Sequence, residues 1–200
     1  MSKRVFPVTV LLVLLAGCWF ERAERSTPAP EEYLTALEAY EQIRPAMLAW
    51  HEDAVVISVS SVHSERAEWR VRADGRAVWW SFMVYSPSAS RETDISFREG
   101  KIRVGIPAIA GGEVPVYGAK EGLPLDSMID SDEAVKIALQ NGARGVLYSI
   151  GIDRYDSKTG RYIPPSWGLT YGHSHDWSQQ QRVIIDAVTG EVLRNDFAGP

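Results

Sequence analysis

Twice along its 200 residues this chain passes from helical spacing of apolar residues into short segments where they alternate. That double change of period limits the fold more than any other feature, because a period of 3.6 and a period of 2 suit different elements. In the later passage Asp130 or Ser131 caps a helix, and Asp132 and Glu133 suit its positive end. Ala134, Ile137 and Ala138 form its apolar stripe before Asn141-Gly142 stops it. Strands follow at Val146 to Ile152 and at Trp167 to Tyr171, where Trp167, Leu169 and Tyr171 share a face. The polar turn DRYDSKTGR separates them, and a last hairpin, Val183 to Leu193, turns at Thr189-Gly190.

The earlier passage follows the same plan. Glu32 to His51 reads as a helix that Pro45 either kinks or restarts. Val55, Ile57 and Val59 then share one strand face. The segment EWRVRADGRAVWWSFMVY, Glu68 to Tyr85, reads as a hairpin on Asp74-Gly75. A two-residue turn there pairs Ala73 with Arg76, Val71 with Val78 and Trp69 with Trp80. The core face then carries Trp69, Val71, Val78, Trp80, Phe82 and Val84, covered by Leu48 or Trp50. DISFREGKIRV closes this half. Trp80 lies about 35 residues after Pro45 and Trp167 about 35 after Asp132, with Gly100 and Gly190 about 20 and 23 residues later. The expected class is α+β, built of tandem helix-plus-antiparallel-sheet units at 32–104 and 131–200. A Gly- and Pro-rich linker, 105–130, joins them, with EVPVY suited to a short edge strand.

SDEAVKIAL, the strands after it and the ending VIIDAVTGEVL resemble a PepSY repeat, whose usual form is a capped helix, an antiparallel sheet and a final D-x-x-T-G-x-[VI] hairpin. Asp186, Thr189, Gly190, Glu191 and Val192 carry that ending, and the resemblance covers Ser131 to Leu193. The first half departs from it: Ser96 stands where Asp186 does and Glu99 where Thr189 does, with Gly100 and Ile102 retained. PepSY domains occur in propeptides that inhibit secreted metallopeptidases and in envelope proteins proposed to restrain peptidases. The resemblance therefore implies a binding or inhibitory module.

The chain opens with Lys3 and Arg4, an apolar run and small Ala16 and Gly17, the layout of a secretory signal over residues 1–17. The uncharged run of about 16 residues falls short of the roughly 20 a spanning helix needs. Leu15-Ala16-Gly17-Cys18 resembles the bacterial lipobox, which implies that the leader is cut before Cys18 and that Cys18 is acylated. Buried acyl chains contribute about 0.8 kcal/mol per CH₂, so two or more hold a protein at a membrane. Residues 18–31, including ERAERSTPAP, read as the tether. Trp19, where an aspartate often marks inner-membrane retention, implies the outer membrane, facing the periplasm, if the envelope is Gram-negative. Cys18 is the sole cysteine, so no internal disulfide exists.

The 21 Lys and Arg against 26 Asp and Glu give −5, and losing Lys3 and Arg4 with the leader leaves 19 against 26, or −7. An acidic chain without a basic run carries no footprint for nucleic acid, and its overall sign disfavours anionic lipid heads.

On the face opposite the predicted core lie Trp79, Ser81, Met83 and Tyr85, with Arg70 facing Trp79 and Glu68 facing Ser81. Either Arg70 stacks on Trp79 and shields the strip, or the aromatics with Met83 and Arg70 form the centre of a partner interface. GHSHDW places His173 and His175 on one side of an extended segment beside Asp176, a candidate metal group lacking an evident third ligand. A polar hairpin loop explains the same residues. No G-x-S-x-G, phosphate loop or H-E-x-x-H helix is present, so no catalytic residue and no cofactor are expected, and the chain reads as a non-enzyme. The expected function is a lipid-anchored envelope module that binds an extracytoplasmic protein, a peptidase by family analogy. The alternatives are a metal-dependent envelope protein using His173 and His175, and a structural lipoprotein of an envelope assembly.

Overall fold

The structure, a computed structural model, describes residues 32–62, 71–109, 122–156, 161–172 and 180–198. Helix α1, Ala36–Trp50, begins at Thr35, whose hydroxyl accepts from the Glu38 N–H while the Glu38 carboxylate accepts from the Thr35 N–H. This reciprocal capping satisfies two of the donors a helix start leaves open. Strands β1, Val55–Val62, β2, Trp79–Ser86, β3, Arg91–Arg98, β4, Lys101–Val104, and the two-residue β5, Ala108–Ile109, follow. Helix α2, Ser131–Gln140, starts at Asp130, and after it come β6, Val146–Asp156, β7, Arg161–Gly172, β8, Gln181–Asp186, and β9, Val192–Asn195.

All described strands pair antiparallel in one sheet of order β4-β3-β2-β1-β6-β7-β8-β9, with β5 extending the β3 edge. Each helix is thus followed by four strands that step outward, and the first strand of each series, β1 and β6, meet at the centre through Val59↔Ile152 to Val62↔Ser149. Both helices lie on one side of the sheet in a single apolar cluster, α1 over β2, β3 and β4 and α2 over β7 and β8. Alternation delivers Trp80, Phe82 and Val84 from β2, and Trp167, Leu169 and Tyr171 from β7, to that side, all fully buried or nearly so. Each large indole also satisfies its N–H: Trp80 donates to the Leu34 carbonyl at 2.9 Å and Trp167 to the Ile129 carbonyl at 3.0 Å, in both cases the residue just ahead of a helix cap.

The two helix starts meet. Ser131 Oγ accepts from the Ala36 N–H at 3.0 Å, and Asp130 Oδ1 accepts from both Leu37 N–H, at 3.1 Å, and Ser131 N–H, at 2.6 Å. One carboxylate therefore serves the positive ends of both helices, and Ser131 is fully buried between them.

Several details depart from the sequence expectations. Pro45 neither stops nor restarts α1, which runs through it. Its covering residues are Ile43 and Met47; Leu48, about 100° further round the helix than Met47, is 45% exposed, and Trp50 is only partly buried. In β1 a bulge between Val56 and Ser58 breaks the alternation, so Val56 and Val59 enter the main core whereas Ile57 and Val55 join Tyr85 on the other face. At Asp74-Gly75 the Arg72 N–H donates to the Arg76 carbonyl, which makes a turn of three residues and moves the pairing by one position. Gly75 has φ +82°, and a Cβ on it would lie 2.6 Å from the Ser131 carbonyl oxygen, because this turn packs on the start of α2. The partners of β2 are β1 and β3, and Trp80 faces Phe97; Trp69 lies outside the described residues.

The closing hairpins differ as well. Glu99 and Gly100, both in the left-handed region, make a two-residue turn between Arg98 and Lys101. Between β8 and β9 the Asp186 N–H donates to the Glu191 carbonyl, which encloses a four-residue loop, Ala187 to Gly190. Trp80 lies opposite Phe97 and Trp167 opposite Ile185, so aligning the two halves on these pairs makes Arg98, rather than Ser96, the counterpart of Asp186.

Candidate functional site: the open face of the sheet

The helices cover one side of the sheet, and the candidate strip lies on the other. Trp79 is half-buried and carries a guanidinium over its ring, that of Arg98 at 5.7 Å. The stacking partner thus comes from β3, directly opposite in the register, while Arg70 lies outside the described residues. Such a pair contributes about 0.5–1 kcal/mol when partly exposed. Next along β2, Ser81 donates to the carboxylate of Asp94. Met83 follows at 37% exposure. Tyr85 is 8% exposed, enclosed with Ile57 and Val55. The strip is therefore accessible at Met83 and in part at Trp79, and closed at Tyr85.

The sequence reading missed what lies between Trp79 and Met83. In-register residues share a face, and one transverse row reads Ser96, Ser81, Ser60, Gly151 and Gly168 across β3, β2, β1, β6 and β7. Five strands at about 4.8 Å spacing make this a floor of small residues roughly 19 Å long. Arg103 adjoins it at one end and Ile184 at the other. Trp79 and Met83 rise on its two sides over β2, with Thr170 and Ser149 continuing one side and Ser58 the other. Gly151 is required here: a Cβ would lie 2.7 Å from the Val59 carbonyl oxygen, so the close approach of β1 to β6 admits no side chain. The clue in the sequence was glycine interrupting two otherwise β-prone segments, SIGI and WGLT.

The carboxylates with shifted affinity lie in turns. Hydrogen bonds from the Ser86 hydroxyl, at 2.7 Å, and the Ser88 N–H, at 2.6 Å, hold Asp53 below its usual value. The N–H groups of Thr189, at 2.8 Å, and Val188, at 2.9 Å, do the same for Asp186. The aspartate of the D-x-x-T-G ending thereby has a local physical role, fastening its own loop. Burial pushes the Tyr171 phenol up to about 12, and its hydroxyl has no hydrogen-bond partner among the described residues. No group of three His, Cys, Asp or Glu placed to hold a metal occurs among the described residues. His173, His175, Asp176 and Cys18 all lie outside them.

The fold is thus α+β, two helices on one antiparallel sheet. It is shared with a crystal structure from Clostridium difficile 630 described as "a putative lipoprotein (CD1622)", which is 14% identical, with a TM-score of 0.54 over 78% of this chain and 90% of that one. At that identity the likeness shows the fold alone. No family model matches the chain, and no curated protein matches it. Among the described residues no helix is long and apolar enough to cross a membrane.

Proposed function

We propose that this chain is a lipid-anchored protein of the bacterial envelope that works without catalysis, binding an extracytoplasmic protein on the open face of its sheet. The anchor is supported by Leu15-Ala16-Gly17-Cys18 at the end of a charged-then-apolar leader, with acylation of Cys18. The description of the structural neighbour as a lipoprotein agrees with that class. The binding role is carried by one observation above all: a sheet face that carries no helix among the described residues, on which Met83 and Trp79 border a floor of small residues. Aromatic residues, methionine and arginine in such a setting are the composition of interface centres.

The two halves are read as tandem PepSY-like repeats. The matching indole bonds of Trp80 and Trp167, and the outward order of both strand series, support the duplication. The partner by family analogy is a peptidase that the module restrains, and Trp19 favours the outer membrane.

The test places a photo-crosslinking amino acid at Met83 in the lipidated protein, with Lys136 on the exposed side of α2 as control. A peptidase captured from Met83 and not from Lys136, and inhibited by the purified chain, is the expected result. Capture of an assembly component with unchanged peptidase activity overturns inhibition in favour of a structural role.

A further inference from the structure

We propose that the free edge of the sheet, β4 and the residues just beyond it, rests on an anionic lipid surface and so fixes how the tethered domain stands on its membrane. This inference rests on the lipid-anchored reading above. Among the described residues strand β4 pairs only with β3, and all four of its residues are exposed. Ile102 is 42% exposed, Val104 48% and Ile106, just past the strand, 94%. Alternation sets Ile102 and Val104 on the helix side, opposite Phe97 and Ile95, and Lys101 and Arg103 on the open side. Among the described residues neither Lys101 nor Arg103 forms an ion pair. From Arg98 to Pro107 there are three cations and one acid, the reverse of the whole chain's balance.

The two sides of this edge match the two layers of a membrane interface: cations suit phosphate head groups, and aliphatic side chains suit the acyl boundary beneath them. Basic residues on an edge also deter strand pairing, which accounts for Lys101 and Arg103 and leaves three exposed aliphatics unexplained. Most of the chain's acids oppose such docking little, since charges more than about 8 Å away are screened in physiological salt, and those beside the edge, Glu99 in the turn and Asp94 on β3, are outnumbered by Arg98, Lys101 and Arg103. Geometry brings the edge within reach. From Cys18 to Leu34 the chain spans at most about 55 Å. It rejoins the fold where Leu34 bridges Ala77, two residues ahead of Trp79, whose neighbours across the sheet are Arg98 and then Lys101.

The test uses the lipidated chain in vesicles of one part phosphatidylglycerol to two parts phosphatidylcholine. Because acylation consumes Cys18, Ile106→Cys, or Leu193→Cys on the opposite edge, supplies the one free thiol for an environment-sensitive fluorophore. The expected result is shielding from aqueous quencher at 106 and not at 193, lost in high salt and in vesicles of phosphatidylcholine alone. Lys101→Glu with Arg103→Glu should lower the docked-to-undocked ratio by roughly 25-fold or more, about fivefold for each cation removed. Equal exposure at 106 and 193, indifference to lipid charge, or shielding without vesicles that grows with protein concentration, the mark of a second copy on the edge, each overturns the proposal. An intact mass without acyl chains on Cys18 overturns the anchor itself, and is read before vesicles are added.

Discussion

The two halves of the sheet use the same anchor and different closures. In each, an indole N–H reaches the carbonyl just ahead of a helix cap, Trp80 to Leu34 and Trp167 to Ile129. Yet α1 takes two further caps, Asp130 and Ser131, from the chain that starts α2, while Asp130 also caps α2. The first half closes on a two-residue turn and the second on a four-residue loop fastened by Asp186. The difference teaches that the halves share an architecture but not an independence: the first helix is completed by residues far downstream.

The largest effect should come from the shared anchor. Trp80→Ala and Trp167→Ala should each cost about 3–5 kcal/mol in urea unfolding, through the cavity and the lost indole bond. Equal costs would extend the likeness of the halves, and a tolerant position would break it. At the central seam, Gly151→Ala should cost about 1–3 kcal/mol, because its Cβ meets backbone at 2.7 Å. Gly168→Ala should stay within roughly 0.5 kcal/mol, since the atom it meets is the end of the Arg182 side chain at 3.4 Å.

Ser131→Ala should cost about 1–2 kcal/mol, leaving the Ala36 N–H buried and unpaired. Hydrogen exchange at Ala36 should accelerate more than within α2, and the opposite pattern would refute the crossed cap. The smallest effect belongs to the loop of the second half. Asp186 is depressed in the folded state, so its stabilisation is present above the ordinary carboxylate value and is lost as pH falls through the folded one. Asp186→Asn should therefore flatten the acid limb of a stability-versus-pH curve and leave it unchanged near neutrality apart from a constant offset.

Most of the scaffold was legible in local signals. Asp130, the Ala134 and Ala138 stripe, and the stop at Asn141-Gly142 give α2 directly, and the alternation around Trp80 and Trp167 gives the buried faces. What failed depended on tertiary contact. The bulge after Val56 leaves both Ile57 and Ser58 on the open face and sends Val59 to the core, parting it from Val55 and Ile57, a change no period-2 count anticipates. The turn at Gly75 takes its shape from packing on Ser131, and Met47 rather than Leu48 covers the core because the sheet lies along that line of α1. The site was half visible: Trp79 and Met83 could be placed on one face from β2 alone. The floor beside them needs the registers of five strands, which arise only when β1 meets β6.

That central meeting bears on how the chain reaches its folded state. Ser58 and Ile152 are bonded although 94 positions apart, so β1 is a bare edge until β6 has emerged. At about 5–20 residues per second of synthesis, roughly 5–20 s pass before the seam can close. During that interval the first half has β1 paired with β2 on one side only, its other edge bare beside Val56, Ile57 and Val59, and a helix without its borrowed caps. The order of the strands thus sets how long an edge able to pair with another chain stays uncovered while the rest of the sheet is being made.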